Sequence, residues 1–193
     1  HLTITWTATD ECGNSSTATT EYWVYDSEAP EFTSEPADET YECDEEIPLN
    51  LPTAEDNCGE TTVTHVDGEI SEGNCPQNYS FVRTYYAEDE CENVSSISHV
   101  ITVEDTTPPV FDEYTVNIEM PCDDIDGNIL VTATDNCGEV TITYEDDHVS
   151  GGCAGVVLRD YVAVDECGNE AYAQQIINLT DVVPPAVVYA PAN

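Results

Sequence analysis

Ile97, Ile101 and Val103 alternate with Ser96, Ser98 and Thr102, the period of two that marks a strand buried on one face. The same positions recur downstream as Ala173, Ile177 and Leu179, and upstream as Ala18, Tyr22 and Val24. A partner strand precedes the first two sets, at Phe81–Ala87 and Val157–Ala163. One aromatic recurs at a matching position, as Tyr85, Tyr161 or Trp6, and is expected in the core. No stretch shows helical periodicity. Several short strands and turn words in about 77 residues predict an all-β fold of small immunoglobulin-like β-sandwiches.

The cysteines repeat with the strands. Cys43, Cys58, Cys75 and Cys91 return as Cys122, Cys137, Cys153 and Cys167, at shifts of 79, 79, 78 and 76 residues. Asp56-Asn57-Cys58-Gly59 returns as Asp135-Asn136-Cys137-Gly138. Asp89-Glu90-Cys91 returns as Asp165-Glu166-Cys167, and an earlier copy stands at Asp10-Glu11-Cys12. Such a period indicates one module used in series, a linear tandem array. The joints are marked by an Asp ahead of proline: Asp26 with Pro30, Asp105 with Pro108-Pro109, and Asp181 with Pro184-Pro185. Proline makes these connections short and stiff. The expected organisation is 1–27 as the C-terminal part of a preceding module, 28–105 and 106–181 as full modules, and 182–193 as the start of a following one.

Charge narrows the function. The 193 residues include 41 acids and only two arginines, with no lysine, for a net charge of −39. Phosphate binding needs Lys and Arg, so no nucleic acid partner is expected. An anionic membrane is excluded on the same ground. Self-repulsion on this scale opposes a compact state unless something neutralises it. Bound divalent cations and a saline habitat are the two candidates. No apolar run reaches the roughly 18 residues of a transmembrane helix, so no membrane insertion is expected. No signal peptide is visible and residue 1 is not Met, so the chain reads as a window from a longer mature protein. Nine cysteines point to an oxidising compartment, hence an extracellular, cell-surface or secreted location. Cys12 matches Cys91 and Cys167, and its partner is expected upstream. The long spacings, without CxxC or paired His, do not favour zinc.

The string Thr-Ala-Thr-Asp-Glu-Cys-Gly-Asn at 7–14, the word Thr-Ala-Thr-Asp-Asn-Cys-Gly at 132–138 and Val-Glu-Asp-Thr-Thr-Pro-Pro at 103–109 together resemble hyalin-repeat-type (HYR-like) modules. Such modules occur in tandem in very large secreted surface proteins, notably adhesins of the Bacteroidetes type. The resemblance covers essentially the whole chain. It implies an immunoglobulin-like sandwich, an extracellular location and a spacer or adhesive role. Many such repeats open the penultimate strand with Arg; Arg83 and Arg159 fit, whereas the first copy has Ile4. Four cysteines per module allow three connectivities. In this sandwich class the second and penultimate strands run the same way, so their ends meet at common poles. Two disulfides per module are therefore expected: Cys58–Cys91 and Cys43–Cys75, then Cys137–Cys167 and Cys122–Cys153. Cys58 with Cys75 is the alternative. Either scheme closes loops worth roughly 3–4 kcal/mol per bridge.

Oxygen ligands converge at the same poles. The incoming linker brings Asp26 and Glu28 towards loops carrying Asp56, Asn57, Asp89 and Glu90, with Asn93 close by. The next joint repeats the set as Asp105, Asp135, Asn136, Asp165, Glu166 and Asn169. Calcium takes six to eight oxygens in flexible geometry, which suits such a cluster. The outgoing pole offers Asp44, Glu45 and Glu46. Asp123, Asp124 and Asp126 before Gly127-Asn128 form another acidic turn, without the last-position Glu or the helices of an EF-hand. The plainer reading is that each Asp caps its own turn, and that the acids solvate the surface in a salty habitat.

Catalysis finds no support. His65, His99 and His148 have no matching His in the other copy, and no Ser/His/Asp or Cys/His set recurs. In so acidic a chain, neighbouring carboxylates do not indicate glycosidase chemistry. The expected role is a segment of a long extracellular fibre or adhesin stalk with calcium-stiffened joints. Its partners would be neighbouring modules of the same chain, copies of itself in a filament, and surface glycans. One alternative is a glycan-binding module using Tyr79, Tyr85, Tyr86 or Tyr114. Another is a non-catalytic appendage of a secreted enzyme.

Overall fold

The computed structural model describes residues 1–112, 114–125, 131–150 and 152–186. The chain is all-β, with no α-helix among the described residues. It divides into two compact units. One comprises His1–Asp38, Pro48–Glu69 and Val82–Val100; the other comprises Glu39–Ile47, Ile70–Phe81 and Ile101–Asn193.

The strands follow the alternation. An antiparallel hairpin of β1 (Leu2–Thr9) and β2 (Ser15–Tyr22) comes first. Then come β3 (Glu31–Phe32), β4 (Glu39–Glu42), β5 (Ala54–Glu55), β6 (Thr62–Asp67), β7 (Ser71–Glu72), β8 (Tyr79–Glu88) and β9 (Val94–Glu104). The series repeats as β10 (Val110–Phe111), β11 (Asn117–Pro121), β12 (Ala133–Thr134), β13 (Thr141–Ser150), β14 (Val156–Val164) and β15 (Glu170–Thr180). The pairing repeats too. One sheet runs β4-β9-β8-β6, with β7 on β8, and its counterpart runs β11-β15-β14-β13. Facing ribbons pair β3 with β5 and β10 with β12. In both copies the early strand lies parallel to the last one, β4 on β9 and β11 on β15. This is the immunoglobulin-like sandwich class that the alternation predicts.

The inward positions are buried as expected. Tyr85 is 2% exposed and Tyr161 4%, while Ala87, Ile101, Val157, Ala163 and Ile177 are at 0%. In the second unit Tyr161 packs against Phe111 and Tyr144, with ring centroids 6.4 and 5.9 Å away. Its hydroxyl donates to Gln175 Oε1 at 3.2 Å, and Gln175 Nε2 donates to the Thr115 carbonyl at 2.6 Å. His99 takes the matching place in the first unit. It stacks on Tyr85 at 5.7 Å, with Nδ1 2.7 Å from the Ala37 carbonyl oxygen, so its role is packing. The hairpin β1–β2 departs from expectation. Trp6 is 60% exposed and Tyr22 48%, because among the described residues no second sheet covers this hairpin; Val24, past the end of β2, is 74% exposed.

The two arginines are structural. Arg83 donates through Nε and a terminal nitrogen to both oxygens of Asp67, at 2.6 and 2.9 Å. Arg159 does the same with Asp146, at 2.7 and 2.8 Å, and lies over the Tyr144 ring at 4.1 Å. Asp146→Ala removes that carboxylate from a buried guanidinium and is expected to cost about 2–3 kcal/mol, read from chemical denaturation. Asp67→Ala should cost less, because the Asp67 side chain is 39% exposed and water screens that pair.

Candidate metal centre and disulfide joint

One loop occurs three times. Asp10, Asp89 and Asp165 each turn a carboxylate back onto their own backbone. Oδ1 accepts from the amide two residues on, at 2.9, 2.8 and 2.8 Å. It also accepts from the amide of the following Asn, at 2.8, 2.9 and 2.9 Å. That Asn (Asn14, Asn93 or Asn169) returns its side-chain NH2 to Oδ2 at 2.9, 2.7 and 2.9 Å. Such a loop needs a left-handed residue before the Asn. Gly13 and Gly168 supply it at φ 85° and 91°, but Glu92 holds φ 66° with a full side chain.

These loops aim carboxylates at the linkers. In the first unit Asp26, Asp56 and Asp89 each place a carboxylate oxygen within 4.8 Å of the others. In the second unit Asp105, Asp135 and Asp165 do the same. Asn93 and Asn169 hold the respective linkers by donating to the carbonyls of Asp26 and Asp105, at 3.4 and 3.1 Å. The second triad is the more enclosed: Asp105 is 4% exposed and Asp165 7%. Asp135 Oδ2 is buried and has no hydrogen-bond partner among the described residues. Burial, then the charges of Asp135 and Asp165, push the Asp105 carboxyl above the usual aspartate range. Burial also acts to raise Asp165, but hydrogen bonds from Asn169, Cys167 and Gly168 outweigh it and hold that group low. An all-oxygen, anionic site with an orphaned buried oxygen fits a hard divalent cation such as calcium.

The other candidate ligands point elsewhere. Asn57 donates its side-chain NH2 to Glu28, so these two satisfy each other. Glu166 accepts from Gln77 Nε2 at 2.9 Å. Asn136 turns its amide to Cys43 Sγ at 3.7 Å. The Glu90 side chain lies beside Gly59, 3.8 Å from where a Cβ would stand. Of the expected outgoing-pole acids, Asp44 lies by Cys43 and Cys137, and Glu45 accepts the Glu42 amide at 3.1 Å; Glu42 itself approaches Asp105. Asp126, Gly127 and Asn128 lie outside the described residues. Glu42 and Asn78, neither singled out by the repeat, tie down the linker. Glu42 accepts from the Thr106 amide at 3.1 Å, and Asn78 Oδ1 accepts from the Asp105 amide at 2.7 Å.

The disulfides correct the expected pairing. Cys43 bonds to Cys137 and Cys75 to Cys167, each across more than ninety residues of sequence. Only Cys122–Cys153 forms as expected. Cys12, Cys58 and Cys91 are free and exposed. The physical reason lies in the poles. Cys43 follows β4 and Cys75 precedes β8, and both meet the loops after β12 and β14, where Asp135 and Asp165 cap the amides of Cys137 and Cys167. Cys43 and Cys75 therefore find their partners in the next copy, whereas Cys122 and Cys153 bond within their own.

The glycan-binding alternative loses its basis. Tyr85 is 2% exposed and Tyr86 39%. Tyr79 stacks on Phe81 at 6.5 Å, and Tyr114 packs at a tilt against Phe111 at 5.9 Å. The four rings do not form a repeated exposed row.

No protein-family profile and no curated protein matches the sequence. Solved structures with similarity include cadherin extracellular segments. Mouse clustered PcdhgC3 EC1-3 is 14% identical over 93% of this chain and 77% of its own, with a TM-score of 0.38. Mouse protocadherin-24 EC1-3 is 15% identical over 94% and 79%, at 0.37. Drosophila N-cadherin EC1-4 is 15% identical over 93% and 58%, at 0.34.

Glu92→Gly relieves a left-handed side chain and should stabilise by about 0.5–1 kcal/mol, after the entropy glycine adds to the unfolded chain. Thermal melts of the two proteins check this. The metal-free protein should also show an acid-side signature. Asp105 is raised in the fold, so its contribution is greatest below the ordinary value of 3.8 and is lost as pH rises through the raised one. Asp165 is lowered, so its contribution is lost as pH falls below 3.8 through its folded value. Asp105→Asn should flatten the first slope and leave the second, as read from melting midpoints across acid pH without divalent ions.

Proposed function

We propose that this chain is a segment of a rigid extracellular fibre or adhesin stalk, built from HYR-like sandwich modules in series and clamped at each joint by calcium. The observation that carries this reading is the recurrence of one carboxylate triad on successive linkers, Asp26 with Asp56 and Asp89, then Asp105 with Asp135 and Asp165. In each triad the linker supplies one acid and two capped loops of the following copy supply the others. A cation bound there ties the linker to the module it enters and restricts rotation at the joint. It also offsets part of the −39 charge that works against compaction. Disulfides favour an oxidising, extracellular setting. The partners that follow are neighbouring modules of the chain and, in a filament, further copies. The role is mechanical: it holds a terminal function at a distance from a surface.

Calorimetric titration with calcium, at low and at high NaCl, tests the reading. Saturable binding that survives salt, near one ion per triad, is expected. Asp135→Ala together with Asp165→Ala should abolish the second site and leave the first. Small-angle scattering should broaden in excess EGTA as the joints loosen. An unchanged profile, with no saturable heat, would leave the acids as solvation for a saline habitat.

A further inference from the structure

We infer that Cys58 and Cys91 are a receiving port for the outgoing cysteine pair of another module, so that the array is stapled covalently at each joint. Four observations converge. Cys58 and Cys91 match Cys137 and Cys167 in the repeat. They occupy the same capped loops: Asp56 and Asp89 accept their amides at 2.8 Å each, as Asp135 and Asp165 do at 2.9 and 2.8 Å. Their counterparts are bonded to the outgoing cysteines Cys43 and Cys75, whereas Cys58 and Cys91 are free and exposed. Finally, the hairpin β1–β2 that leads into this pole leaves Trp6 60% exposed, although the matching Tyr85 and Tyr161 are 2% and 4% exposed. The hairpin thus lacks the module body that would cover Trp6, and that body is the occupant of the port. By the repeat it carries an outgoing pair equivalent to Cys43 and Cys75. At the other end Cys122 and Cys153, the next outgoing pair, bond to each other, which Cys43 and Cys75 do not. Two outgoing thiols therefore lie close enough to be handed on together.

The bonds form by oxidation of thiols. One thiol of the port and one outgoing thiol lose two hydrogens to an organic disulfide such as oxidised glutathione. One S–S bond is made, one is broken, and two molecules of glutathione are released. The same exchange closes the second bridge. In this chain's numbering the pairing is Cys58 with the equivalent of Cys43, and Cys91 with the equivalent of Cys75.

The inference rests on the serial-module reading, but its test is independent of calcium. The full chain is extended at its N-terminus with a second copy of residues 28–79, which completes the module of β1–β2 and supplies the outgoing pair. After refolding in a glutathione redox buffer, free thiols are blocked with maleimide and peptides are mapped without reduction. Expected are two new cross-linked peptides, loss of maleimide on Cys58 and Cys91, and retention of Cys43–Cys137 and Cys75–Cys167 as internal controls. Changing the added equivalents of Cys43 and Cys75 to serine should restore labelling. A second extension with residues 106–155 supplies the same pole from the other copy. Labelled Cys58 and Cys91, or a bond between them, in a chain that keeps the two control bonds overturns the inference. Loss of the control bonds in both extensions counts against it equally, because each extension must complete a module. The two new bonds in a chain that binds no calcium would sink the calcium clamp and leave the port standing.

Discussion

Carboxylates brought together in a partly dry site repel one another, and the joint is organised around that repulsion. At the separations within each triad, a pair of like charges at an effective dielectric near 20 costs about 3–4 kcal/mol before any relief. The triad at Asp105, Asp135 and Asp165 is nevertheless held in place by neighbours that leave it little freedom. Asp165 is fixed by its own loop, Asp135 by the Cys137 amide, and Asp105 by Asn78 and Asn169. Backbone and amide groups thus bear the cost of assembling a site whose negative charge a bound cation would offset. Glu42 adds a fourth negative group nearby, which sharpens the demand.

The second constraint is size. A sandwich of this length buries a thin core, and small cores need covalent help. Here two of the three bridges apply that help between copies, and Cys122–Cys153 applies it within one. Cys43–Cys137 and Cys75–Cys167 fasten the outgoing loops of one copy to the capped loops of the next. One of the two compact units accordingly gathers Glu39–Ile47 and Ile70–Phe81 with the chain from Ile101 onwards.

Much of this was legible in the chain. The alternation at Ile97, Ile101 and Val103 located β9, and its echoes located β15, because a strand with one dry face must carry that period. The grouping of these acids was legible because Asp26 and Asp105 stand a few residues ahead of proline and the capped loops recur as words. The cysteine partners were not. Connectivity depends on which loops share a pole, and a repeat places equivalent sulfurs at both ends of every copy. Local pattern cannot say whether a pole faces its own module or its neighbour. Glu92 was equally hidden, since a left-handed backbone at that position shows only by comparison with Gly13 and Gly168. Glu42 and Gln77 had no signal, being ordinary surface residues until a linker lies against them.

The bridge from Cys43 to Cys137 has one more consequence. It spans a sequence separation of 94 residues. Pulled from its ends, the chain can lose every hydrogen bond inside that loop and still not lengthen by what the loop contains. Fully extended, that contour is roughly 300 Å. Cys75–Cys167 overlaps the same stretch, so the length stays locked until thiols open both bonds, and the reach of such a molecule under tension is set by the redox state of its surroundings.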